Sequence, residues 1–147
     1  MNDRIFIDTN VLIYAYDKHE PEKQKRAQFL LKEGIQNDNV VISSQVLSEF
    51  YCTVTKKIRE PMSYDEAHEV IRHFKIFPVV EVDSVLVNRA IETLKQYHIP
   101  YWDSLIVAAA ERAGCSKLLS EDFNSGQLYY EILAVDPFKT YKTLHIV

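Results

Sequence analysis

Five short apolar runs, each separated from the next by a stretch of helical character, constrain this chain more than any other feature. They are Arg4-Ile5-Phe6-Ile7, Val40-Val41-Ile42, Phe77-Pro78-Val79-Val80-Glu81-Val82, Lys117-Leu118-Leu119-Ser120 and Tyr130-Glu131-Ile132-Leu133-Ala134-Val135. Short runs of this kind, with helices between them, read as strands of a parallel sheet whose right-handed crossovers lay helices on its faces. The expected fold is α/β, a three-layer α/β/α sandwich around a central parallel five-stranded sheet. Only 3 Gly and 5 Pro in 147 residues argue for long helices and against a turn-rich β sandwich. One domain spans 1–147, with a compact part from about 4 to 138 and a tail over 139–147.

Local signals agree with this order. Pro21 falls where a first helical turn tolerates it. Gly34 reads as the residue just past that helix, and Asn37-Asp38-Asn39 as a turn. Ser43 or Ser44 caps a helix with Leu47, Phe50, Val54 and Ile58 on its apolar stripe, running to about Arg59. Ser63-Tyr64-Asp65-Glu66 is a capping-box pattern that opens a helix through Lys75. Asp83 or Ser84 caps the next helix, and Trp102 to Arg112 is apolar almost all round, as a buried helix is.

In a parallel sheet the C-terminal strand ends share one edge, where ligands bind. Asp8 follows the first strand directly, ahead of Thr9 and Asn10. All three are good N-cap residues, so Asp8 is either a cap or a site residue, and one residue can cap while its neighbour binds. Asp122 follows the fourth strand and shares its parity with Leu118 and Ser120, whereas Glu121 points the other way. Asp103 lies in the first turn of the buried helix, where a carboxylate needs either a capping role or a partner. Glu49 is off the centre of its helix's apolar stripe, beside Gln45, Val46, Cys52 and Thr53, and by spacing alone reads as a solvated residue. Carboxylates that converge raise one another's pKa and do not all stay ionised without a cation. Oxygen-only donors suit Mg²⁺ or Mn²⁺ rather than zinc, and such a site can activate water for attack on a phosphodiester. Thr9 and Asn10 could orient a carboxylate there.

The segments Phe6-Ile7-Asp8-Thr9-Asn10-Val11-Leu12, Ser48-Glu49-Phe50, Trp102-Asp103-Ser104-Leu105-Ile106-Val107-Ala108-Ala109-Ala110, Leu118-Leu119-Ser120-Glu121-Asp122-Phe123-Asn124-Ser125-Gly126-Gln127 and Val135-Asp136-Pro137-Phe138 together resemble a PIN domain, nearest the small single-domain proteins of the VapC toxin type. The likeness covers about Arg4 to Phe138 and rests on five modest motifs in the right order and spacing. It implies a PIN-like, Rossmann-like topology. It also implies that Asp8, Glu49, Asp103 and Asp122 form one acidic, metal-binding and catalytic cluster, with Asp8 and Asp103 the firmest ligands. Glu49 enters the cluster through this resemblance, not through spacing. Ser120-Glu121-Asp122 fits the family's Ser/Thr-x-Asp pattern, so Ser120 joins Thr9 and Asn10 as a supporting residue. Asp136 stands where the family more often has Asn, away from the catalytic positions. The resemblance further implies metal-dependent hydrolysis of RNA, homodimerisation and, for toxins, a cognate antitoxin protein.

Net charge is −4, which does not advertise a polyanion binder, so phosphate contacts would come from a local patch. Lys56, Lys57 and Arg59, or Lys23, Lys25 and Arg26, could supply one, although charge runs usually decorate solvated helix faces. Tyr14, Tyr16, Tyr51 and Tyr101 could stack bases, with packing the commoner role. Cys52 and Cys115 lack metal-type spacing and read as buried residues of a reduced, cytoplasmic protein. No secretory signal or membrane span is visible, and the five His are scattered. Two other readings stand beside the nuclease: a catalytically silent PIN module that binds RNA or a protein, and a receiver-type signalling domain. The second expects an acceptor Asp after the middle strand, but Asp83 runs directly into a helix. No P-loop motif exists.

Overall fold

The computed structural model describes residues 2–139; the expected tail lies almost wholly outside them. Strands β1 (Ile5–Ile7), β2 (Val40–Ser43), β3 (Val79–Val80), β4 (Lys117–Leu119), β5 (Leu128–Tyr129) and β6 (Ile132–Val135) form one sheet in the order β3-β2-β1-β4-β6-β5. All pairings are parallel except β5 with β6. Helices α1 (Thr9–Tyr14), α2 (Pro21–Asn37), α3 (Ser44–Lys56), α4 (Tyr64–Phe74), α5 (Ser84–Tyr97) and α6 (Tyr101–Arg112) make the crossovers and outer layers. Phe6 and Ile7 point to opposite faces of β1, and both are 0% exposed. Burial on both faces is what a sheet covered by helices on each side requires.

The sheet departs from the expected five parallel strands at one edge. Tyr130 takes φ 57 and turns the chain between Leu128–Tyr129 and Ile132–Val135, making an antiparallel hairpin. That left-handed corner is usually filled by Gly, Asn or Asp, so the sequence carries no turn signal there. Here Tyr130 is held instead by its surroundings: its N–H donates to the Tyr97 hydroxyl, its own hydroxyl bonds Thr93 at 2.7 Å, and the Arg89 guanidinium lies 4.5 Å from its ring. The third strand is also shorter than its apolar run, because only Val79 and Val80 pair with β2.

Most caps follow the sequence. Ser43 accepts from the Val46 N–H, Asp83 from the Leu86 N–H, and Ser63 with Glu66 completes both bonds of the capping box. Gly34 does not. It lies inside α2, which ends at Asp38 in the left-handed region, and a Cβ at position 34 would overlap the Val40 side chain. Its lack of a side chain lets α2 approach β2. Arg26 is likewise not on a solvated face; it is buried, and its Nε donates to the Pro137 carbonyl at 3.3 Å. Cys115 is buried as expected, but Cys52 is exposed. Among the described residues no helix is long and apolar enough to cross a membrane.

Strand order reverses beside β1: the chain runs outward from β1 to β2 and β3, then returns to add β4 on the other side. The crevice at the carboxyl ends of β1 and β4 is therefore the topological switch point, the place where open α/β sheets bind ligands.

Candidate metal and catalytic site

A cavity of about 670 Å³ opens at that switch point, and Asp8, Glu49, Asp103 and Asp122 all line it. Each arrives on a different element. Asp8 ends β1 and caps α1, Glu49 comes from α3, Asp103 from the first turn of α6, and Asp122 from the loop after β4.

Asp8 caps α1 and also lines the cavity. Its Oδ1 accepts from the Thr9 N–H at 2.7 Å, and its Oδ2 accepts from the Ser120 hydroxyl at 2.7 Å. Asp103 caps nothing: α6 begins after Pro100 without a side-chain cap, so the half-buried carboxylate is left to the cavity. Glu49 is not a solvated residue. The Thr9 hydroxyl donates to its Oε1 at 2.7 Å, and Gln45 Nε2 donates to its Oε2 at 3.3 Å. Asn10 Nδ2 donates to Asp122 Oδ2 and to Ser120 Oγ, both at 3.1 Å, while Ser120 Oγ also accepts from the Asp122 N–H at 3.0 Å. Thr9, Asn10 and Ser120 thus each hold one or two of the acids.

Glu121 points away from this cluster, as strand parity requires. It accepts from the Tyr14 hydroxyl at 2.6 Å and from Lys23 Nζ at 3.1 Å. That contact removes Lys23 from the cations free to meet a phosphate. Lys57 lines the cavity; Lys56, one residue earlier, does not. Tyr16, Tyr51 and Tyr101 pack against other rings, and Tyr14 packs edge-on with Phe138, so none of the four tyrosines lines the acidic cavity. Gln45 and Trp102 do line it, and neither stands out as a site residue in the sequence. Gln45 had one legible signal, its i,i+4 spacing to Glu49.

Electrostatics mark the cluster as short of positive charge. Burial pushes the Asp8 carboxyl from 3.8 up to about 7; the Ser120 and Thr9 hydrogen bonds pull it down, and Glu49 and Asp122 push it further up. Asp103 is also raised, first by burial and then by Asp122 and Glu49. Bringing like charges together in a half-dry pocket costs free energy that a bound cation removes. The donors are all oxygen, which selects a hard ion. Among the described residues no three His, Cys, Asp or Glu side chains close into a ready-made cage. A Mg²⁺-type ion does not need one, since it keeps several waters and takes one or two carboxylates directly. The residues present fit such an ion.

A family model described as PIN domain matches residues 5–128. The chain belongs to the PIN-domain family. Its structure is similar to VapC20 of Mycobacterium tuberculosis, described as a sarcin-ricin loop cleaving toxin, with TM-score 0.64 and 17% identity over 82% of this chain and 90% of that one. It is similar to a toxin–antitoxin complex from Klebsiella pneumoniae, with TM-score 0.65 and 15% identity over 88% of this chain and 95% of that one. DNA-bound VapBC from Salmonella typhimurium gives TM-score 0.63 and 17% identity over 90% and 96%. At these identities the likeness is one of fold. No curated protein matches the chain in sequence.

Proposed function

We propose that this protein is a Mg²⁺- or Mn²⁺-dependent endoribonuclease, and that it is the toxin of a toxin–antitoxin pair. The observation that carries the reading is the convergence of Asp8, Glu49, Asp103 and Asp122 on one cavity at the switch point. Membership of the PIN family supports it, as does likeness of fold to a toxin described as cleaving the sarcin-ricin loop and to two toxin–antitoxin complexes. The reading includes an antitoxin protein as partner, as in the toxin–antitoxin complexes of like fold, and takes the protein to be a homodimer acting in the cytoplasm.

Asp8 and Asp103 would hold the ion, with Asp122 and Glu49 around it. When bound, the ion supplies charge neutralisation at the phosphodiester and at the attacking water. The chain's own residues do the rest. Ser120 and the Thr9 amide hold both oxygens of Asp8, and Asn10 holds Asp122, so these carboxylates are already ordered around the cavity where the ion would bind. Glu49, oriented by Thr9 and Gln45, positions the attacking water and takes its proton. Lys57 contacts a substrate phosphate. Incubating RNA with the purified protein, with and without EDTA, tests the reading: cleavage that stops in chelator and returns with Mg²⁺ or Mn²⁺ supports it, and cleavage indifferent to chelator contradicts it.

A further inference from the structure

The acids account for one wall of the cavity and leave another unexplained. Trp102, the only tryptophan in the chain, lines the same cavity as the four carboxylates and is 62% exposed. Ile106 lies one helical turn further along α6 on the same face, and it lines the cavity too, as do Ile13 and Val82. A site that met only phosphate, metal and water would have no use for an apolar wall with a solvent-open indole at its rim.

The backbone that carries that indole is tied to the acids. Gln45 Nε2 donates to the Trp102 carbonyl at 3.1 Å and, from the same nitrogen, to Glu49 at 3.3 Å. Gln45 is itself buried, so one fixed amide sets the start of α6 against Glu49. Asp103 follows Trp102 directly in the first turn. The Tyr101 ring packs against the indole edge-on, with centroids 5.0 Å apart. The cavity therefore offers an aromatic residue, an acidic centre and the Lys57 cation together. These are the groups that recognise a base, a metal-bridged phosphate and a neighbouring phosphate in a nucleotide chain.

We propose that Trp102 is a base-stacking platform that holds one unpaired nucleobase beside the scissile phosphate, so that the site selects single-stranded over base-paired RNA. The proposal rests on the ribonuclease reading and adds to it the residue that sets strandedness. A base inside a duplex has both faces covered by its neighbours and cannot lie on the indole, whereas an unpaired base of any identity can.

Because Trp102 is the sole tryptophan, its fluorescence reports the contact directly. The full chain carrying Asp103→Asn, chosen because the ribonuclease reading has it bind RNA without cutting it, is titrated with a labelled single-stranded adenine 10-mer RNA, the matching RNA duplex and an abasic sugar-phosphate 10-mer. Label anisotropy reads binding and tryptophan emission reads stacking. We expect the single strand to quench the emission, the abasic oligomer to bind without quenching, and the duplex to bind more weakly. Trp102→Ala should weaken single-strand binding by about 5- to 150-fold, with Trp102→Phe restoring most of it. Melting temperature and molecular mass should stay those of the parent. Binding without quenching, quenching by the abasic oligomer, or unchanged affinity of Trp102→Ala overturns the proposal. A halved mass for Trp102→Ala also overturns it, since the indole would then be covered by a second copy of the chain. If single-strand quenching appears but the unmutated protein cleaves no RNA, the ribonuclease reading fails while the platform stands.

Discussion

The Ser120 hydroxyl donates to Asp8 Oδ2 at 2.7 Å, joining two residues 112 positions apart across the sheet's switch point. The same oxygen accepts from Asn10 and from the Asp122 N–H. One small side chain thus sets the relation between the first acid and the last. Ser120→Ala leaves these groups short of partners in a buried setting and should cost about 1–3 kcal/mol of stability. Urea unfolding reads the stability, and titration calorimetry with Mn²⁺ should show weaker binding. A variant as stable as the parent, with unchanged Mn²⁺ affinity, would remove Ser120 from the site.

Asp8 should leave a pH signature in the metal-free protein. Its folded carboxyl is raised from 3.8 to about 7, chiefly by burial. The folded state then binds more protons than the unfolded state between these values, so this group's share of stability is intact below about pH 4 and is lost as pH rises to about 7. The loss is on the order of 4 kcal/mol at about 1.4 kcal/mol per unit. Asp8→Asn removes the titration, so in EDTA the stability difference, variant minus parent, should grow from pH 5 to pH 8. Urea midpoints at both pH values measure it, and a difference that shrinks would reverse the sign of the account.

Lys57 and Lys56 are neighbours in sequence but differ at the cavity, which only Lys57 lines. Lys57→Gln should weaken RNA binding and lower the slope of log affinity against log salt by about 1, while Lys56→Gln does less. Filter binding across a salt series separates them. Equal effects would point to a diffuse basic surface instead of one phosphate contact.

Gly34→Ala should destabilise the fold although Ala is the better helix former by about 1 kcal/mol. The added methyl meets Val40 where α2 lies against β2. Val40→Ala in the same chain should recover much of the loss, as read by thermal melting. A Gly34→Ala protein more stable than the parent would mean that α2 can shift freely over the sheet.

The sheet and the acids were legible to different degrees. Phe6-Ile7-Asp8 could be read locally, because an apolar run that stops on a carboxylate fixes both the strand and its end. Asp103 stood out as a charge on an otherwise buried helix. Glu49 was illegible by spacing, because what turns it inward is Thr9 on another element and Gln45, whose burial comes from tertiary packing. Gly34 was misread as a helix end because a close helix–strand approach leaves the same residue type as a cap. The Tyr130 corner was invisible, since contacts from Tyr97, Thr93 and Arg89 hold a backbone conformation that its own side chain disfavours.

The most direct measurement on the central claim uses Asp103→Asn, a substitution that keeps the side chain's size and removes its charge. RNA binding and RNA cleavage are measured on the same preparation in Mg²⁺ or Mn²⁺. If the four carboxylates form a catalytic metal site, the variant binds RNA and does not cut it. Cleavage at the parent's rate would contradict that account and leave the domain as a binding module.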